Sequence, residues 1–112
     1  MNNTPYIYLL SSATDYKNAL DKKTLSRPSL HTEGFIHASP KDQLTRVANK
    51  HYPKVEDLLI LEVDCNKVEA EIKWEPAADS LYPHIYGELN TDSIVKTLPV
   101  FKHDDGLFHI SF

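Results

Sequence analysis

The chain has 112 residues, with 12 Lys and Arg against 16 Asp and Glu, so its formal net charge is −4. This length predicts one domain spanning residues 1–112, and the acidic balance with scattered lysines argues against duplex DNA binding. No apolar run approaches the roughly 18 residues that a membrane span needs, so we expect neither a membrane segment nor a signal peptide. A single cysteine, Cys65, excludes an internal disulfide and favours a cytoplasmic location.

The N-terminal third predicts a strand followed by a helix. Tyr6 to Leu10 is a run of aromatic and aliphatic residues typical of a strand. Ser11 or Ser12 can cap the following helix, which has Asp15 in its first turn. Residues 24–34 show no clean period, and Arg27 to Ser29 is predicted to form a loop.

A short buried strand and a second helix are predicted next. The strand is Phe35 to Ser39, and Ser39 and Pro40 are suited to the cap and first position of a helix. The helix would end before Pro53. Its apolar face is predicted from helical spacing at Leu44, Val47, Ala48 and His51.

The second half of the sequence predicts mostly strands. Leu58 to Val63 is nearly all apolar, as in a central strand, and Val68 to Glu75 alternates apolar and charged residues. Leu81 to Gly87 is predicted to be a short strand interrupted by Pro83, which indicates either an edge strand or the entry into a strand.

The end of the chain predicts one helical turn and a hairpin. Asn90 or Thr91 can begin the turn, and the strands Ile94 to Phe101 and Leu107 to Phe112 would be joined by an Asp-Gly turn at 103–106. The whole pattern predicts an α+β fold with about six largely antiparallel strands and two helices in the N-terminal half.

Two of the three glycines stand beside histidines. The segments Gly34-Phe35-Ile36-His37 and His84-Ile85-Tyr86-Gly87 are near mirror images, each with a histidine on a short apolar strand. Two imidazoles on adjacent strands could share a pocket and serve as acid and base near neutral pH. Alternatively, each histidine is a core residue that bonds to a backbone carbonyl.

Three polar residues close in sequence to one or other of these histidines are further candidates. Ser39 could hold an anionic group at the start of the helix, or could act only as its cap. Glu33 could orient His37 or bind a ribose hydroxyl, or could be a solvated loop carboxylate. Tyr86 could stack on a ligand.

Other site types are not predicted. The spacing of His31, His37 and His84 does not define a zinc site, so we predict no metal. Cys65 has no neighbouring base in the sequence, and no glycine-rich phosphate loop is present.

Two H-x-S patterns, beginning at His37 and His109, resemble the paired motifs of the two-histidine phosphoesterases. In those enzymes both imidazoles act on a cyclic phosphate. The match implies a cyclic phosphoesterase as a minor alternative.

Nearly the whole chain resembles the bacterial family called domain of unknown function 952. The matching residues are Ile7 and Tyr8, Pro28 to Leu30, Glu33 to Ser39, Gln43, Val47 to Asn49, Asp57 to Asp64, Trp74 and Glu75, and Leu81 to Asn90. This family has no established activity, so it implies no catalytic residues. The resemblance implies the ADP-ribosylation fold, a split antiparallel β core that cradles NAD in ADP-ribosyltransferases.

Residues 37–99 are also similar to the second half of the RNA 2′-phosphotransferases, beginning with the strand around His37. The similarity does not extend to the NAD-binding His-Gly-Thr, which is missing from Tyr6 to Leu10. Nor does it extend to the arginine-rich character, since the only arginines are Arg27 and Arg46. The cofactor therefore remains unassigned.

The sequence thus predicts a pocket for a small polar or nucleotide-like ligand in an ADP-ribosylation-like α+β domain. His37 and His84 would be its acid and base, if it is catalytic. The alternatives are a non-catalytic binding or interaction module, or histidines with a purely structural role. The predicted lining consists of Ser29, Glu33, His37, Ser39, His84 and Tyr86.

Overall fold

Eight strands and three helices form the part of the chain that the computed structural model describes, residues 5–77 and 80–112. Short 3₁₀ turns occur at Lys41–Gln43, Cys65–Lys67 and Thr91–Ser93. In chain order the elements are β1 (Tyr6–Ser12), α1 (Ala13–Lys22), β2 (Thr24–Leu25), α2 (Ser29–Thr32), β3 (Ile36–His37), α3 (Leu44–His51), β4 (Leu58–Asp64), β5 (Glu71–Ala77), β6 (Ser80–Tyr86), β7 (Leu89–Asn90) and β8 (Ile94–Pro99).

The strands form three sheets in which every described pairing is antiparallel. Their orders are β1-β4-β8, β2-β7 and β3-β6-β5. Mixed helices and antiparallel sheets confirm the α+β class. The sheets also explain why β4 is almost entirely apolar, since it is the central strand of its sheet and is covered on both faces.

The alternating side chains of β1 connect two apolar cores. Ile7 and Leu9 pack in one core, against residues of the β3-β6-β5 sheet such as Ile85. Tyr8 and Leu10 pack in the other core, which lies under α3 and the C-terminal segment. Because successive side chains of a strand point to opposite faces, this one strand fixes the position of α3 relative to the β3-β6-β5 sheet.

Both predicted helices are present. The cap of α1 is Ser12, whose hydroxyl accepts the N–H of Asp15 at 3.1 Å. The predicted cap of the second helix is wrong, however. Ser39 exchanges two backbone hydrogen bonds with Tyr8, at 2.8 and 3.0 Å, and the helical segment begins two residues later at Lys41. Pairing with β1 therefore keeps Ser39 extended.

Residues 24–34, which show no clean period in the sequence, contain the short elements β2 and α2, and α2 begins at Ser29, the last residue of the predicted loop. The pairing of Thr24 and Leu25 with β7 fixes the start of this segment. The strand predicted from Val68 begins only at Glu71 in β5.

Both expectations for Pro83, an edge strand or the entry into a strand, are wrong, because β6 lies between β3 and β5 and Pro83 lies in the middle of it. Pro83 is tolerated there because β3 is so short. Regular pairing with β3 covers only His84 and Ile85, and Pro83 uses its carbonyl to accept the N–H of Ala38 at 3.1 Å. Proline has no backbone N–H, and at Pro83 this missing donor falls at the end of the pairing between β3 and β6.

The C-terminal residues turn back as predicted at Gly106 but do not form the expected strand. Their one ladder contact is the bridge between Lys102 and Phe108. Two side chains of α3 take the place of a partner strand. Asn49 bonds both the N–H and the carbonyl of Phe108 at 2.9 Å, and Thr45 does the same for Ile110 at 2.9 and 3.3 Å.

None of the helices in the described ranges is long and apolar enough to cross a membrane.

Candidate functional site

The β3-β6-β5 sheet carries three of the six polar residues that the sequence singled out, His37, His84 and Tyr86. His37 and His84 are direct cross-strand partners, and Lys73 of β5 lies opposite His84 on the other side. The mirror-image motifs therefore bring the two imidazoles together, with ring centroids 5.4 Å apart. The glycine beside His37, Gly34, has a φ of +90°, which lets the chain turn from α2 into β3.

His84 is the buried member of the pair, with only 7% of its side chain exposed. Its Nδ1 lies 2.9 Å from Oε1 of Glu75. The hydroxyl of Tyr86 donates to the same oxygen at 2.5 Å. These two interactions, that of Tyr86 first, hold the pKa of the Glu75 carboxyl below its ordinary value. The hydrogen bond to Glu75 is also the largest cause of the raised pKa of Tyr86.

Phe35 completes this histidine cluster. Its ring stacks on His84 with centroids 4.0 Å apart and an interplanar angle of 16°. The same ring meets His37 edge-on at 4.9 Å and Tyr86 at 5.3 Å. We define the histidine cluster as Phe35, His37, Glu75, His84 and Tyr86.

His37 is the accessible member of the pair, since 54% of its side chain is exposed. Its Nε2 lies 2.9 Å from Oε2 of Glu33, four residues earlier at the end of α2. The predicted orienting contact between Glu33 and His37 is therefore present.

A cleft of about 530 Å³ opens beside His37. Its lining includes residues of the segment Arg27 to Ser29 and residues of α3 and the position after it, from Arg46 to Tyr52. Residues of β1 line it as well, together with Ala38 and Ser39. His37 thus lies at the boundary between this cleft and the histidine cluster.

The cleft is strongly cationic. Its lining contains both arginines of the chain, Arg27 and Arg46, together with Lys50, His37 and His51. No lining residue within the described ranges carries a carboxylate. In a chain of net charge −4, this is a marked local reversal of charge.

Neutral groups position the two arginines. Arg27 donates to the carbonyl of Leu10 at 2.9 Å and to the hydroxyl of Tyr52 at 3.2 Å. Arg46 donates to Gln43 and to the hydroxyl of Tyr82. Within residues 5–77 and 80–112, neither guanidinium forms a salt bridge. Their charge is therefore available to a bound anion.

The predicted site residues divide between the cleft and its surroundings. Ser29, His37 and Ser39 line the cleft, although the Ser29 hydroxyl also donates to the carbonyl of Phe35 at 2.6 Å. The other three, Glu33, His84 and Tyr86, lie outside the cleft lining.

His109, the second histidine of the phosphoesterase alternative, lies in the C-terminal hairpin. Its Nε2 is 2.7 Å from Asp105 and its ring is 4.6 Å from that of His103. The described lining of the cleft does not include His109. The two H-x-S motifs therefore do not share this site.

Sequence reasoning missed Glu75 and the arginines as site residues. The alternating pattern of β5 placed Glu75 on the charged face, but only the register with β6 brings it to His84. Arg27 and Arg46 were visible only as the two arginines of a lysine-rich chain. Their convergence depends on the packing of α3 against β1.

A metal site built from three or more side chains and a thiol nucleophile both find less support. The described ranges contain no group of three or more His, Cys, Asp or Glu side chains arranged to hold a metal ion. Burial raises the pKa of the Cys65 thiol, which disfavours the thiolate that a nucleophile needs.

The fold is shared with protein CC0527 from Caulobacter crescentus. Its crystal structure matches with a TM-score of 0.83 at 23% identity, covering 93% of each chain. Its solution NMR structure matches with a TM-score of 0.79, also at 23% identity, covering 93% of this chain and 91% of that one. No curated protein is significantly similar to the sequence.

The family model described as "Protein of unknown function (DUF952)" matches residues 10–97. That range contains both arginines, both glycine-flanked histidines and Glu75, so the cationic residues of the cleft and the whole histidine cluster lie in the matched region. The chain therefore belongs to the DUF952 family.

Proposed function

We propose that this domain binds a small anionic ligand, of the phosphate-bearing and nucleotide-like class, in the cationic cleft. The observation that carries the proposal is the lining itself, in which Arg27, Arg46 and Lys50 converge without a described carboxylate among them. Guanidinium groups suit this task because their planar donors match the oxygens of phosphate and carboxylate groups.

The size and remaining lining of the cleft fit the same ligand class. A volume of about 530 Å³ is within the range of small-molecule sites. Ser29 and Ser39 add hydroxyl groups, while Val47 and the tyrosine rings add apolar surface. An ADP-ribosylation-like fold, as the sequence resemblance implies, is consistent with a nucleotide-like ligand.

If the site is catalytic, His37 is the acid or base that a ligand can reach. It lines the cleft with half of its side chain exposed, and Glu33 holds its ring in place. His84 lies behind it and would act through His37 rather than on the ligand directly. A binding module without turnover uses the same cleft and needs no proton transfer.

The test is a calorimetric and thermal-shift panel of inorganic phosphate, AMP, ADP-ribose, NAD and the uncharged nucleoside adenosine. We expect anionic members to stabilise the protein, by about 2.7 kcal/mol at 100 times the dissociation constant. Lys50→Gln and Arg46→Gln should weaken binding because each removes a positive charge from the cleft.

Lys96→Gln is the matched control, since Lys96 is exposed on β8 and lies outside the described lining. It should bind as the unmodified protein does. No response to any anion, or equal loss in Lys96→Gln and Lys50→Gln, contradicts the proposal. Conversion of a bound member of the panel to product separates an enzyme from a binding module.

A further inference from the structure

The buried nitrogen Nε2 of His84 has no hydrogen-bond partner among the described residues. Its other ring nitrogen, Nδ1, lies 2.9 Å from Oε1 of Glu75, an oxygen that also accepts the hydroxyl of Tyr86. With Nδ1 as the donor to this oxygen, Nε2 presents a lone pair. Buried polar atoms normally have a partner, so we expect a bound atom or ion to interact with this acceptor.

The direction of that lone pair follows from the sheet order. Nδ1 of His84 faces β5, because Glu75 belongs to β5. The two ring nitrogens of an imidazole diverge, so Nε2 is directed away from Glu75 and β5. The residue of β3 opposite His84 is His37, whose ring stands at 73° to it.

His37 is held in a matching way. Glu33 occupies its Nε2, which leaves Nδ1 as the free ring nitrogen. Each imidazole of the pair is therefore anchored through one nitrogen to its own carboxylate and has the other nitrogen free. Histidines that bind metal ions are typically oriented by such a carboxylate.

The spacing of the rings agrees with a shared ion. Two imidazoles bound to one tetrahedral zinc ion, with Zn–N distances of about 2.0–2.1 Å, have ring centroids about 5 Å apart. The observed separation is 5.4 Å. The neighbouring carboxylates of Glu33 and Glu75 supply negative charge, opposed on this face by the ammonium of Lys73, which lies 4.9 Å from the Tyr86 ring.

We propose that Nδ1 of His37 and Nε2 of His84 bind a divalent transition-metal ion such as Zn²⁺. Water, or an oxygen atom of a ligand in the cleft, would fill the other coordination positions, since no third side chain of the described ranges joins the pair. The exposed side chain of His37 provides the route of entry. This site is separate from the arginines and lysine that carry the proposed anion binding.

The test is calorimetric titration of the tag-free protein with ZnCl₂, and with MgCl₂ as the oxygen-preferring control ion. We expect one Zn²⁺ per chain and no Mg²⁺ binding. His84→Gln should abolish the heat of zinc binding, and Glu75→Gln should weaken the affinity for zinc about 10–100-fold. His31→Gln is the matched control, since His31 is exposed on α2, and it should bind zinc normally.

Heteronuclear NMR of the unmodified protein keeps the test decisive if His84→Gln does not fold. Zn²⁺ should shift the ring signals of His37 and His84 together, before those of His103 and His109. The proposal is overturned by an absence of zinc heat, by full binding in a folded His84→Gln variant, or by shifts confined to the hairpin histidines. Because these measurements use no anionic ligand, failure here leaves the proposed anion binding intact, and the reverse also holds.

Discussion

Among individual residues, Glu75 has the widest influence on the site, because one of its carboxylate oxygens accepts from two donors. His84 approaches it from the middle of β6 and Tyr86 from the end of the same strand. The carboxylate thereby fixes the tautomer of a buried imidazole and the position of the Tyr86 ring. A single side chain of β5 thus organises the polar face of the sheet.

Replacing Tyr86 with Phe should raise the pKa of Glu75, because the hydroxyl of Tyr86 is the largest cause of its lowered value. A lowered folded-state pKa contributes stability above the ordinary carboxyl pKa, and this stability is lost as pH falls through the folded value. The variant should therefore be less stable than the unmodified protein at pH 7, by a margin that shrinks as pH falls to about 3.

The measurements are NMR titration of the Glu75 carboxyl and denaturant unfolding at both pH values. Tyr16→Phe is the control, since no hydrogen bond involves the Tyr16 hydroxyl in the described structure. It should leave the titration of Glu75 unchanged. An unchanged Glu75 titration in Tyr86→Phe would show that Tyr86 does not govern this carboxylate.

At the scale of secondary-structure elements, the pattern of apolar residues predicted the strands and helices that bury an apolar face. The strands β1 and β4 were predicted from continuous runs of apolar residues, and α3 from apolar residues at helical spacing. The order of the strands was not predictable: Pro83 indicated an edge or a strand entry, yet the shortness of β3 allows it at the centre. The pairing of His37 with His84 was anticipated from the repeated motif, whereas the contact with Glu75 depends on strand register.

The C-terminal segment failed as a predicted strand because α3, rather than another strand, satisfies its backbone. Asn49→Ala removes hydrogen bonds to both backbone groups of Phe108, a residue that is 1% exposed. We expect a loss of stability on the order of 1–3 kcal/mol, because buried backbone groups lose their partners.

Chemical denaturation measures this loss, and Asn18→Ala on the exposed side of α1 is the matched control. The control should change stability by less than about 0.5 kcal/mol. Equal stability of the two variants would mean that water replaces Asn49 at no cost, and that the C-terminal segment does not depend on α3.

The whole molecule is acidic, and its one described concentration of arginine is the cleft. An anion approaching at random meets net repulsion from a charge of −4, yet is attracted within the cleft by Arg27, Arg46 and Lys50. This arrangement favours small anions over large polyanions such as nucleic acids, which would contact the acidic surface as well. The composition indicated only the net negative charge and did not show that the cleft is locally positive.

Anion binding should consequently weaken as salt is added. Raising the ionic strength from about 0.01 M to about 0.15 M shortens the Debye length from about 30 Å to about 8 Å, which screens the exposed charges of the cleft. Calorimetric titration with AMP over this range should show a progressive loss of affinity. The slope should be smaller in Lys50→Gln, which has one cation fewer, and unchanged in Lys96→Gln. An affinity independent of salt would mean that AMP is held by apolar or neutral contacts and that the arginines serve the fold alone.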